Sequence, residues 1–110
     1  MSAAIARRVA RGAALLDEKR PGWDARIDLA GLDLEDCELC VVGQLFGPGY
    51  GRGLPDGSYG YGLEALGVLD CEYEYGFDRE FLGEKFADLT AEWRRVITAR
   101  RGAAGLARAS

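Results

Sequence analysis

The stretch that most constrains this chain runs from Asp33 to Gly47, Asp-Leu-Glu-Asp-Cys-Glu-Leu-Cys-Val-Val-Gly-Gln-Leu-Phe-Gly. Asp33 is an N-cap residue type, and Glu35 and Asp36 follow where a helix dipole favours negative charge. Leu34, Cys37, Val41 and Leu45 fall on one stripe at helical spacing, while Leu39, Val42 and Phe46 cover a second side. Gly47-Pro48 stops the pattern. The spacing predicts a helix over 33–46 that is apolar around most of its later turns. A segment of that kind belongs in the middle of a core. Gly43 would let a neighbouring element approach it closely.

Two further segments carry the same period. Over 3–19, Ile5, Val9, Gly12, Ala13 and Leu16 share a face opposite Arg7, Arg8 and Arg11, with Ser2 as the expected N-cap. Arg20-Pro21-Gly22 ends that helix, because proline bars its predecessor from helical geometry. From Asp78, Leu82, Phe86, Leu89, Trp93 and Ile97 keep one phase, which predicts a single helix over 78–101 ending at Gly102. Thr90 marks its soft spot, since it could cap a new start. Between these, 22–27 reads as one helical turn anchored by Trp23, and 47–62 as a long loop with seven glycines and three tyrosines. Its last residues lead into a short helix after Ser58. Residues 68–77 alternate, with Cys71, Tyr73, Tyr75 and Phe77 against Asp70, Glu72, Glu74 and Gly76. That period suggests an extended segment near 69–76, but no second strand offers a ladder, so a helical turn competes with it.

The expected fold is therefore mainly α. One compact domain, 1–102, holds three main helices around Ile5, Val9, Leu16, Trp23, Val41, Leu45, Phe86, Trp93 and Ile97, and 103–110 form a flexible tail. At 110 residues the chain is long enough to bury one core without staples. No apolar run reaches the ~18–20 residues of a spanning helix, and Arg7, Arg8 and Arg11 interrupt any secretory core at the N-terminus. A cytoplasmic protein is the expectation. Three cysteines, an odd number, fit a reducing compartment.

Histidine is absent from the chain. The commonest general base and metal ligand is missing, which argues against an enzyme. Charge is segregated: residues 1–26 carry +3, residues 27–92 carry −12, and residues 93–110 carry +5. Basic ends around an acidic middle speak of contacts and not of fold.

Several motifs compete with duller readings. Cys37-x-x-Cys40 with Cys71 supplies only three thiolates for zinc, one ligand short of a closed site. A redox pair is disfavoured by Asp36 and Glu38, which flank Cys37 and oppose a thiolate. Two small core side chains explain the pair more simply, so no cofactor or metal is expected. Gly47-Pro-Gly49-Tyr-Gly51-Arg-Gly53 has neither dinucleotide-loop nor phosphate-loop spacing. Tyr50, Arg52, Tyr59 and Tyr61 instead suit a binding surface on a permissive backbone. Arg7, Arg8, Arg11, Arg94, Arg95, Arg100 and Arg101 could follow nucleic-acid phosphates, pair with the chain's own acids, or form a partner interface. The acidic middle opposes the first. Asp70, Glu72, Glu74, Asp78, Glu80 and Glu84 lack the spacing of a calcium loop.

Three segments together carry a resemblance: Arg11-Gly-Ala-Ala-Leu-Leu-Asp-Glu-Lys-Arg-Pro-Gly-Trp23, Leu32-Asp-Leu-x-x-Cys37-x-x-Cys40-Val-x-Gly-Gln-Leu-Phe-Gly47, and Leu89-Thr-x-x-Trp93-Arg-x-x-Ile97. The chain resembles a group of small uncharacterised proteins of actinobacteria and their phages and prophages, over most of its length except the Gly/Tyr loop. The resemblance implies a bacterial or infected-cell cytoplasm and no particular activity. The expected function is a non-enzymatic interaction protein, an accessory or regulatory phage or prophage product of a class that includes virion and assembly components, binding a protein partner or itself through Tyr50, Arg52, Tyr59, Tyr61, Arg94 and Arg95. Nucleic-acid binding by the arginine faces, and a thiol or zinc function through Cys37 and Cys40, are the alternatives.

Overall fold

Rich in alanine and free of proline, residues 3–19 meet no obstacle to helical hydrogen bonding. They form α1 (Ala3–Lys19) in the computed structural model, which describes residues 3–46 and 57–109, and the side chains of 3–46 and 62–103. Ser2 lies outside the described residues. One face of α1 buries Ile5, Val9, Gly12, Ala13 and Leu16, and also Arg8. The Arg20 N–H closes the last turn on the Leu16 carbonyl at 2.7 Å. The expected single turn follows as α2 (Trp23–Arg26), with Trp23 buried.

The segment expected as a central helix over 33–46 divides. Only α3 (Val41–Phe46) is helical. Asp33 and Asp36 are the reason. The Asp33 carboxylate accepts the Glu35 N–H at 3.0 Å, and that of Asp36 accepts the N–H groups of Glu38 and Leu39 at 2.8 and 3.2 Å. Aspartate side chains that bond backbone two and three residues on favour successive turns over a continuous helix. Leu34 stays buried, but Cys37 and Leu39, expected inside, face solvent, Leu39 at 42% exposure. In α3, Val41, Val42, Leu45 and Phe46 are all buried. Gln44 ties the turns to it, accepting the Asp28 N–H at 2.7 Å and donating to the carbonyls of Asp28 and Leu39 at 3.2 and 2.9 Å. The close approach expected at Gly43 is real. A Cβ there would fall 2.0 Å from the Cys37 carbonyl oxygen.

The short helix expected after Ser58 is α4 (Gly57–Leu66), which packs on α3 and takes residues 57–62 out of the loop expected over 47–62, whose remainder lies outside the described residues. Residues 69–76 are not extended. A 3-10 turn occupies Glu72–Tyr75, and no strand occurs among the described residues. With no partner strand, the backbone satisfies itself locally, through Glu74 N–H to Cys71 O and Phe77 N–H to Glu72 O.

The last helix, α5 (Phe86–Ala109), begins eight residues later than expected and continues past Gly102. It is unbroken at Thr90, whose hydroxyl accepts the Leu34 N–H at 3.0 Å and so fastens the 33–40 turns to α5. Helix α1 packs against α5 and the 3-10 turn, and α2 packs against α5. Aromatic rings fill the junction. Trp93 stacks on Phe77 at 5.6 Å and meets the edge of Trp23 at 5.8 Å, while its indole N–H reaches the Gly76 carbonyl at 2.6 Å. Every expected core residue is buried there except Phe86, which packs against the core from its edge.

Candidate functional site

Residues 78–85 were expected to open the last helix, and they form instead a tight projecting turn. Asp78 turns its carboxylate onto the next N–H, that of Arg79, at 2.7 Å. The Glu84 N–H bonds Phe81 O at 3.1 Å, and Glu84 in turn accepts the Glu80 N–H at 3.1 Å. Arg79 reaches the Leu82 carbonyl at 3.2 Å, with its guanidinium 4.3 Å from the Phe86 ring centroid. Beneath the turn Arg8 pairs with Glu84, both side chains buried, and Arg8 also donates to Tyr73 O at 3.3 Å and Asp78 O at 3.5 Å. The turn is thus braced at both ends and from below.

At its tip stand Phe81, 61% exposed, and Leu82, 87% exposed. Leu82, expected on the core stripe of a helix, is the most exposed large apolar residue among the described ones. The helical phase that carries Phe86, Leu89, Trp93 and Ile97 inward does not extend to it, because residues 81–84 are not helical. Phe81 went unread in the sequence. The available signal was Gly83 directly after the Phe81-Leu82 pair, because glycine disfavours a helix interior and marks a turn.

Beside this tip lies a crevice of about 520 Å³ lined by Ala4, Arg7, Arg8, Arg11, Tyr73, Glu74 and Glu80. Arg7 and Arg11, one helical turn apart, are exposed and make no ion pair or hydrogen bond with any described residue. Arg8 between them is turned inward, its Nε 4.0 Å from the Glu80 carboxylate.

The other arginines of the terminal helices whose side chains are described have partners within the chain. Arg100 grips Asp17 with two bonds of 2.7 and 2.8 Å, and Arg101 binds the carbonyls of Asp24 and Ile27. The guanidinium of Arg100 lowers the Asp17 carboxyl below its ordinary value, and Asp17 raises Arg100 in return. Arg94 donates to Leu32 O at 3.3 Å. Arg95 clamps Glu92 at 2.9 and 2.5 Å, covering a carboxylate that is buried on the inner side of α5. Arg94 and Arg95, named above as partner-binding, are therefore engaged with the chain itself, though both remain exposed.

Tyr50 and Arg52 lie outside the described residues. Tyr59 and Tyr61 belong to α4, their side chains likewise outside. The cysteines separate. Cys40 is buried at the start of α3, where its sulfur accepts the Gly43 N–H at 3.2 Å, and burial pushes its thiol up to about 12. Cys37 is exposed, and Cys71 packs against the core edge. Among the described residues no group of three or more His, Cys, Asp or Glu side chains could hold a metal ion. No described helix is long and apolar enough to cross a membrane.

No family model, no curated protein and no solved structure matches the chain.

Proposed function

We propose that this protein is a non-enzymatic interaction module that docks a protein partner on the Phe81–Leu82 tip. One observation carries the reading: two large apolar side chains stand in solvent on a turn braced by hydrogen bonds within the chain. A flexible loop would have to be ordered on binding, at roughly 0.5–1.5 kcal/mol for each immobilised side chain. Here the brace is formed in the free protein. Covering each side chain is worth up to roughly 1.5–3 kcal/mol, enough for the pair to act as the centre of an interface. The missing histidine and the high thiol value of Cys40 support a non-catalytic role.

The three resembling segments support a setting among phage or prophage accessory products in the bacterial cytoplasm. The partner is another protein or a second copy of the chain. Nucleic acid is the weaker reading, because five of the seven terminal-helix arginines with described side chains already have partners and Glu74 and Glu80 share the crevice of the remaining two.

The test is an affinity capture from cells of the source bacterium, quantified by mass spectrometry. The wild-type protein is compared with the double variant Phe81→Ser, Leu82→Ser, whose changes lie in solvent and leave the core alone. A protein retained by the wild type and lost by the variant is the expected result. Retention by both, with circular dichroism unchanged, would remove the tip from the interface.

A further inference from the structure

Resting on that reading, we infer that the segment received beside the Phe81–Leu82 tip places a carboxylate between Arg7 and Arg11, and that it is a peptide segment of mixed charge. Arg7 and Arg11 are one turn apart on α1, so their side chains stand next to each other. Two like charges at that spacing repel mildly, and an anion between them turns the repulsion into attraction. Neither has a partner among the described residues, whereas Arg8, Arg94, Arg95, Arg100 and Arg101 all do. The two unpaired arginines of α1 therefore line one crevice.

Glu80 joins that crevice to the apolar tip, because it lines the one and directly precedes Phe81 in the other. A chain lying across both would meet cations and apolar side chains in succession. Glu74 and Glu80 stand in the same crevice, with Tyr73 beside them, itself 38% exposed. No ion pair joins Glu74 or Glu80 to Arg7 or Arg11. Two anions in the crevice disfavour a polyphosphate or a run of acids and favour a ligand that carries a basic group near its acid. Charge arranged in this way sets orientation and rejects wrong partners more than it adds affinity.

The probe is a displayed library of random twelve-residue peptides, selected on the immobilised full chain. The expected consensus pairs an aromatic or aliphatic residue with Asp or Glu, and binding of the synthetic consensus peptide falls as salt is raised. The double reversal Arg7→Glu, Arg11→Glu should weaken that peptide at least tenfold, and replacing the peptide's acid by lysine should restore binding to the reversed protein. A consensus without an acid, or an affinity indifferent to the reversal, overturns this inference. If such a peptide is still lost with Leu82→Ser, the docking tip stands and only the carboxylate fails. An empty selection counts against the inference too, and the cellular capture then decides the tip separately. Tight binding of a 20-base-pair DNA duplex that the reversal abolishes would assign the crevice to nucleic acid instead.

Discussion

Gly12 shows how closely α1 is packed at the scale of one residue. A Cβ placed there would fall 2.0 Å from the Tyr75 carbonyl oxygen and 2.9 Å from the Trp93 ring. Alanine gains ~1 kcal/mol over glycine in a helix interior, but overpacking a core costs ~1–3 kcal/mol, and displaced backbone lies at the upper end. Gly12→Ala should therefore destabilise by about 1–2 kcal/mol in urea unfolding, and an unchanged midpoint would show that the 3-10 turn yields freely. Cys40 gives a signed pH dependence. Its folded value, about 12, stands above the ordinary 9.0, so the folded state holds a proton that the unfolded state has lost between those values. Its contribution is intact below pH 9 and is lost as pH rises towards 12. Cys40→Ala should flatten that alkaline decline. In the native protein at pH 8 a thiol reagent should modify Cys37 quickly and Cys40 only after unfolding. The pairing of Cys37 with Cys40 at one spacing was legible, but their opposite exposures were not, because the Asp36 turn between them is a matter of side-chain competition with the backbone.

Between elements, two ion pairs differ in kind. Arg8 and Glu84 are both buried and join α1 to the turn that precedes α5. Removing one partner strands the other charge, so Arg8→Ala should cost roughly 3–5 kcal/mol, whereas Arg8→Met combined with Glu84→Met should recover much of the loss. A double-mutant cycle by chemical denaturation measures both. Asp17 and Arg100 join α1 to α5 at the surface, and the Asp17 side chain is 49% exposed. That pair is worth at most about 1 kcal/mol. Because the folded Asp17 value is depressed, its contribution is present above the unfolded value of 3.8 and disappears as pH falls through the folded one. Asp17→Asn should flatten the acid limb of the stability curve below about pH 4, and an unaltered limb would mean the pair is screened. The outlines of α1 and α2 could be read in advance because apolar anchors and the Arg20-Pro21-Gly22 stop agreed there, whereas α4 starts at Gly57, inside the segment expected as a loop. The starts of α3 and α5 could not, since Asp33, Asp36 and Asp78 look alike as helix caps and as turn formers.

For the molecule as a whole, the Trp23–Trp93 contact closes 70 residues of chain around one aromatic centre. α1, α2, the 3-10 turn and α5 all meet near it, which makes independent melting of any one of them unfavourable. Indole fluorescence and far-ultraviolet circular dichroism should report one coincident, two-state transition in urea. A fluorescence change that precedes loss of helicity would mean that α2 detaches from α5 first.

The amino-acid order by itself determined a helical chain, since apolar residues recur at helical spacing and the one alternating segment has no partner strand. It also placed Ile5, Val9, Leu16, Trp23, Val41, Leu45, Trp93 and Ile97 in the core, but it did not keep Leu39 and Leu82 out of it. Only the tertiary structure decided the arginines and the exposed tip. Whether a guanidinium meets an acid or carbonyl from a remote segment depends on which elements pack together, as Arg8 of α1 on the 78–85 turn and Arg101 of α5 on α2 show. Leu82 matches the inward stripe in spacing and still stands in water, because the buried Arg8–Glu84 contact holds its turn outside the helix.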